Sequence, residues 1–263
     1  MHNKRSNMIL RKETPVSAKN QNASRAFQTV IRRIQHDIQN KKLRPGDRLA
    51  PERQLAESLG VSRATIREAI RALEMIGLVV SRQGEGNFIS DRMDLALLQP
   101  MTISFYLGGG SLYDIHHFRQ SLEIEATGLA AADPSPDFIA HLTNLADQMD
   151  AAPDIDTSAD LDNDFHQSIA AASGNCLIRD SLTAATTLLE TVRYQARVAI
   201  ITREKDEGDA LCFQHRRIAD AIAAKDSPLA RKRMLEHMIY VEDFLSDISP
   251  DKLPDLAELP AKK

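Results

Sequence analysis

Apolar residues recur at three- and four-residue spacing along most of this chain, and strand-like alternation replaces that rhythm in one place only, around Gly84 and Gly86. Such spacing buries best as amphipathic helices, so the chain reads as mainly α with one small hairpin. Ser24 is available as an N-cap ahead of Phe27, Val30, Ile31, Ile34 and Ile38, a helix that runs to near Leu43. Arg44-Pro45-Gly46-Asp47 is a turn by composition. A short helix fits Pro51 to Leu59 with Gly60 as its stop, and Ser62 caps a third, to about Ile76, whose Ile66, Ala69, Ile70 and Leu73 share one face. Leu78 to Ile89 then forms the hairpin.

Beyond residue 90 there is no comparable strand signal. Helices are expected over Leu95 to Leu107, Ser111 to Ala132, Pro136 to Ala151, Ala159 to Ala172, Leu177 to Thr202, Asp206 to Ala224 and Pro228 to Ile248, an all-helical bundle of six or seven. A length of 263 residues favours two domains. The expected division is a flexible basic arm over 1–23, a DNA-binding domain over 24–90, a linker acting as a lever over 91–100, a helical effector-binding and dimerisation domain over 101–248 and a loose tail over 249–263.

The formal charge of −4 conceals two unlike halves. Residues 1–90 hold 17 Lys and Arg against 8 Asp and Glu, a net +9, and the remainder holds 16 against 29, a net −13. A polyanion partner for the basic half is one reading, and an ordinary solvated face is the other. No run of 18 apolar residues exists and the start lacks the apolar stretch of a signal peptide, so no membrane association and a cytoplasmic location are expected. Cys176 and Cys212 read as lone thiols.

Arg63, Arg67 and Arg71 fall at i, i+4 and i+8 and project from one side of the third helix. A guanidinium fork can bond two acceptors of guanine in the major groove or hold phosphates, although a row of arginines is also a common solvated face. The short helix before it and the turn Leu59-Gly60-Val61-Ser62 supply what a helix-turn-helix needs, including a first helical turn, with Ser62 and Thr65, aimed at bases. The run Pro45-Gly46-Asp47-Arg48-Leu49, Glu52-Arg53-Gln54-Leu55-Ala56, Leu59 to Ile70, Leu73-Glu74, Gly77-Leu78-Val79 and Gly84 to Ile89 resembles the winged helix-turn-helix of GntR-family bacterial transcription regulators. Ala50-Pro51 departs from the commonest family pattern, which has proline then serine. The resemblance implies DNA contact by Arg53, Arg63 and Arg67 and a wing placing Gln83 and Gly84 near the minor groove; because one recognition helix reads too few bases, a homodimer on a palindromic duplex operator is expected. For Arg71 and Arg48, phosphate contact and surface solvation stand as alternatives.

In the acidic half, Asp162 and His166 are four apart on one helix face, while His215 and His237 lie among apolar residues at helical spacing on two later helices. Three histidines and a carboxylate suit a divalent transition metal, with zinc, nickel and manganese as candidates; the alternative is histidines satisfied within a core. Asp162 to Ala170, Ala172-Ser173-Gly174-Asn175, Gln214 to Ile222 and Glu236-His237 resemble the FCD effector domain of the FadR branch of the same family. That resemblance implies metal binding at Asp162, His166, His215 and His237 and argues against an acyl thioester ligand, which members lacking these histidines bind. Arg119 begins a stretch similar to the family's first effector-domain helix, where it would clamp the carboxylate of a small hydroxy, keto or sugar acid; a surface ion pair with Glu123 is the alternative. Arg193 and Arg197 are further effector candidates. The function expected is an effector-responsive regulator, as a repressor. A metal-dependent enzyme and an architectural DNA-binding protein with a structural metal are the rivals.

Overall fold

The computed structural model describes residues 18–188 and 205–245, in two compact units, Met1–Asp91 and Arg92–Lys263. Of the arm expected over 1–23, residues 18–23 are the first turns of a helix and 1–17 lie outside the described residues, as do the end of the helix expected to reach Thr202, the tail beyond residue 248 and the candidates Arg193 and Arg197.

The first unit holds α1 (Ala18–Gln39), α2 (Glu52–Leu59), α3 (Arg63–Met75), β1 (Val79–Arg82) and β2 (Gly86–Ile89). Val30 and Ile34 of α1 are fully buried against Ile66, Ala69, Ile70 and Leu73 of α3, and Leu49, Val79 and Ile89 close this core. Ser24 does not cap α1, which starts before it. The helix also ends at Gln39 rather than near Leu43, because Lys42 and Leu43 both donate backward to the Asp37 carbonyl and Lys41 takes a positive φ of 57°. Gly60, at φ 64°, closes α2 through its N–H to the Ala56 carbonyl, a conformation that costs a glycine little. The strands pair antiparallel from Val79↔Ile89 to Arg82↔Gly86. Residues 46–49, read as leaving a turn, run along the other side of β2: Gly46 and Ile89, Asp47 and Ile89, and Leu49 and Asn87 are joined by backbone bonds of 2.8–2.9 Å. The wing is therefore three segments wide.

Among the described residues the second unit is all-helical: α4 (Met93–Leu107), α5 (Leu112–Ala130), α6 (Pro136–Asp150), α7 (Ile155–Ala172), α8 (Cys176–Leu188), α9 (Lys205–Ala223) and α10 (Ser227–Glu242). Side-chain caps set several of these starts, with Ser111 and Asp114 forming a reciprocal box on α5 and Asp154 accepting from Thr157 on α7. That Asp154 cap begins α7 one turn before the expected Ala159. The segment expected as a linker over 91–100 is largely the first half of α4, which runs through Pro100 and packs on α8. Phe165, Ile169, Leu142, Leu182, Ile218, Ile222, Met234 and Met238 form the main core. Central to it is α5, in contact with α7, α8, α9 and α10. Its inner face carries His116, Arg119, Glu123 and Thr127, all buried, which is an unusual load for a core helix. Among the described residues no helix is long and apolar enough to cross a membrane.

His116 had no supporting sequence pattern, yet it is buried with its Nε2 3.0 Å from the Met238 carbonyl. Burial, and then the neighbouring Arg119 charge, push its pKa down to about 4. An imidazole neutral in the fold but near 6.5 when unfolded contributes stability that is complete above about pH 6.5 and is lost as the pH falls toward 4. Chemical denaturation across this interval is expected to show His116→Gln losing about 3 kcal/mol less than the parent. Identical pH profiles would mean that His116 does not titrate this way.

Candidate metal centre and nucleic-acid interface

Arg63, Arg67 and Arg71 are exposed along α3. Arg67 Nε lies 4.0 Å from Glu52 Oε2, and Arg53 Nε lies 3.9 Å from Glu57 Oε1. Both are long, solvated pairs that a phosphate or base could displace at small cost. Ser62 is exposed but already engaged: its Oγ accepts the Thr65 N–H at 3.1 Å and pairs with the Thr65 hydroxyl at 2.8 Å. The two hydroxyls thus cap the helix that carries the arginines. Gln83 and Gly84 sit exposed at the wing tip, where φ 76° at Gly84 and 110° at Gly86 shape the loop. Two cations flank that tip. Arg82 Cζ stands 4.4 Å over the Phe88 ring, and the Arg48 guanidinium lies so close to Gly86 that a Cβ there would meet its Nε at 3.3 Å. Arg82 was missed in the sequence because a lone arginine in a four-residue strand carries no periodicity.

In the second unit, His166 from α7, His215 from α9 and His237 from α10 converge, each buried, with one ligand-capable atom apiece within 4.8 Å of the others. Asp162, one turn before His166 on α7, joins them: its Oδ1 is 3.1 Å from His215 Nε2 and 4.0 Å from His166 Nε2. Phe165, fully buried, presses its ring edge-on against His166 and His215 at 5.8 and 5.0 Å. Outer partners sit behind two of the rings. Gln214 Oε1 is 3.1 Å from His237 Nδ1, and Glu123 Oε2 is 3.1 Å from His166 Nδ1. Burial and then the other two imidazoles hold His237 well below its ordinary pKa, so it is neutral.

Arg119 is buried, as a carboxylate clamp requires, and it is also paired with Glu123, Nε to Oε1 at 3.1 Å, so each of the two sequence readings captured half of its setting. Burial alone would raise the Glu123 pKa, but His166 and Arg119 outweigh it and the carboxyl is held low. His117, without a pattern in the sequence, meets Glu242 at 3.0 Å, and His141 meets Ser168 at 3.1 Å.

The donor set fits a divalent metal. Three imidazoles and one carboxylate match the needs of zinc, nickel or manganese, and His166 Nε2 is buried without a hydrogen bond among the described residues, a state that ordinary cores avoid.

Residues 26–89 match the family described as bacterial regulatory proteins, gntR family, and residues 114–239 match the FCD domain. The chain is 33% identical to the HTH-type transcriptional regulator LutR of Bacillus subtilis over 80% of its own length and 96% of that protein. It is 30% identical to a putative L-lactate dehydrogenase operon regulatory protein of Escherichia coli, covering 85% of this chain and 87% of the other. Among solved structures, Streptococcus agalactiae GntR superposes with a TM-score of 0.60 at 27% identity, covering 83% of this chain and 99% of that one. A wing beside an arginine-bearing helix, an all-helical second unit and these likenesses agree: the chain belongs to the GntR family of bacterial transcription regulators, which are not enzymes and bind operator DNA, and carries the FCD domain.

Proposed function

We propose that this chain is a cytoplasmic homodimeric repressor that holds a divalent metal in its helical domain and leaves its operator when a small organic acid binds there. The buried convergence of His166, His215 and His237 on Asp162 carries the reading, because a core gains nothing from three neighbouring imidazoles unless they hold something. Asp162, His166, His215 and His237 would hold the metal, which when bound supplies a Lewis acid with open positions for carboxylate and hydroxyl oxygens. The chain's own residues do the rest. Phe165 walls the site on one side, Gln214 fixes the His237 ring, and Arg119 adds positive charge beside the centre. Arg193 and Arg197 are proposed as further effector contacts. L-lactate, which figures in the name of the Escherichia coli relative, is a 2-hydroxy acid and so belongs to the ligand class that this donor set favours.

On the DNA side, Arg53, Arg63, Arg67 and Arg71, with Ser62 and Thr65 at the helix start and Gln83 and Gly84 on the wing, are proposed to meet a palindromic duplex, one half-site per protomer. Effector binding need only favour a different spacing of the two winged units by a few kcal/mol.

A thermal-shift screen of hydroxy, keto and sugar acids against the zinc-loaded protein, followed by operator-release assays with the hits, tests this. At least one acid is expected to raise the melting temperature and release DNA. If none changes either, the effector role falls and a structural metal in a DNA-binding protein is left.

A further inference from the structure

We propose that Glu123 is a positioning residue for the metal centre, one carboxylate oxygen holding the His166 ring from behind while Arg119 pairs with the other. The inference rests on the metal reading of His166, His215 and His237.

Ligation through Nε2 requires the imidazole proton on Nδ1. For His166 that nitrogen faces Glu123 Oε2 at 3.1 Å, and among the described residues this close approach is the contact each atom has, neither being in an aligned hydrogen bond. An ionised carboxylate only accepts, so the imidazole nitrogen beside it is driven to be the donor, which leaves Nε2, on the Asp162 side, as the lone-pair atom. His237 is set the same way by a neutral group, the Gln214 amide oxygen. The carboxylate does more than the amide, because a charged acceptor holds a ring N–H more strongly and fixes its orientation more firmly.

The other carboxylate oxygen of Glu123 takes Arg119 Nε at 3.1 Å, one helical turn away on α5, with the two side chains only 4% and 1% exposed. Such a pair is costly to break one-sidedly and cheap to replace as a unit. Arg119 is therefore committed to Glu123 through its Nε, and any contact with an effector must use the remaining edge of the guanidinium.

Zn2+ affinity of the full-length protein, measured by competition with a chelating dye, and the visible absorption of the Co2+-substituted protein test the assignment. The double variant Arg119→Met/Glu123→Gln removes both buried charges together and is expected to keep the metal-free melting temperature, bind Zn2+ about 10- to 100-fold more weakly and show an altered Co2+ spectrum. Glu123→Asp, which keeps the charge but withdraws the carboxylate from His166, is expected to weaken Zn2+ likewise. Parental affinity and an unchanged Co2+ spectrum in both variants overturn the positioning role while leaving the metal reading intact. A parent protein that binds neither ion overturns the metal reading, and the inference with it.

Discussion

Arg67→Ala is expected to weaken operator binding by about 1–3 kcal/mol per half-site, the range of a bidentate arginine contact to guanine. On a two-fold site both protomers lose the contact, so the loss is about 2–6 kcal/mol, enough to remove detectable binding at ordinary protein concentrations. The fold is expected to survive, since the side chain is 56% exposed and its ion pair, at 4.0 Å to Glu52 Oε2, is long and solvated. Gel-shift titration beside thermal melting separates the outcomes. Lost binding at an unchanged melting temperature supports a base or phosphate contact. A collapse of the melting temperature would make Arg67 structural, and unaltered affinity would remove it from the interface. Repeating the titration against salt sorts the contact further: losing a purely phosphate-bound arginine from both protomers lowers the slope of log affinity on log salt by about two and acts equally on all sequences.

The helix arrangement behind this interface was legible because it rests on local signals. Gly60 stops α2 and Ser62 caps α3 through short-range bonds that composition announces, and the buried face of α3 is the one its periodicity marks. Non-local choices were not legible. Residues 44–47 read as a turn because Pro45 and Gly46 dominate the composition there, and only the backbone groups of Ile89 and Asn87, far along the chain, recruit residues 46–49 as a third edge of the wing. The linker expected over 91–100 overlapped the helix expected from Leu95, and Pro100, which cannot donate within a helix, lies inside α4. Burial of Leu98 against Leu112, Ala184 and Leu188 keeps α4 continuous through it, a tertiary gain that outweighs a local cost.

The same division runs through the candidate site. Asp162 and His166 were readable as partners because four-residue spacing places them on one face, and His215 and His237 because apolar neighbours at helical spacing turned them inward. Glu123 was not readable as part of that set. Its spacing from Arg119 is that of any exposed helical ion pair, and what distinguishes it, burial beside a histidine 43 positions later, exists only once α5 packs on α7. Sequence patterns find groups that share an element. They do not find the outer partner that a different element delivers.

That dependence on assembly makes His215 the most informative position in the centre, because it is the buried member closest to Asp162, at 3.1 Å. His215→Ala is expected to abolish stoichiometric metal, since deleting one of the four proposed ligands leaves an incomplete set. In the parent, metal at about a hundredfold over its dissociation constant stabilises the folded state by about 2.7 kcal/mol, and for a chain of this size removing it with a chelator is expected to lower the melting temperature by about 5–10 °C. The variant should melt at one temperature with or without chelator. Without metal, it is expected to melt somewhat below the stripped parent, because deleting a fully buried ring leaves a cavity. Elemental analysis gives the decisive number: undiminished metal per chain in His215→Ala would remove it from the ligand set, and a chelator-sensitive melting temperature in the variant would place the metal elsewhere in the protein.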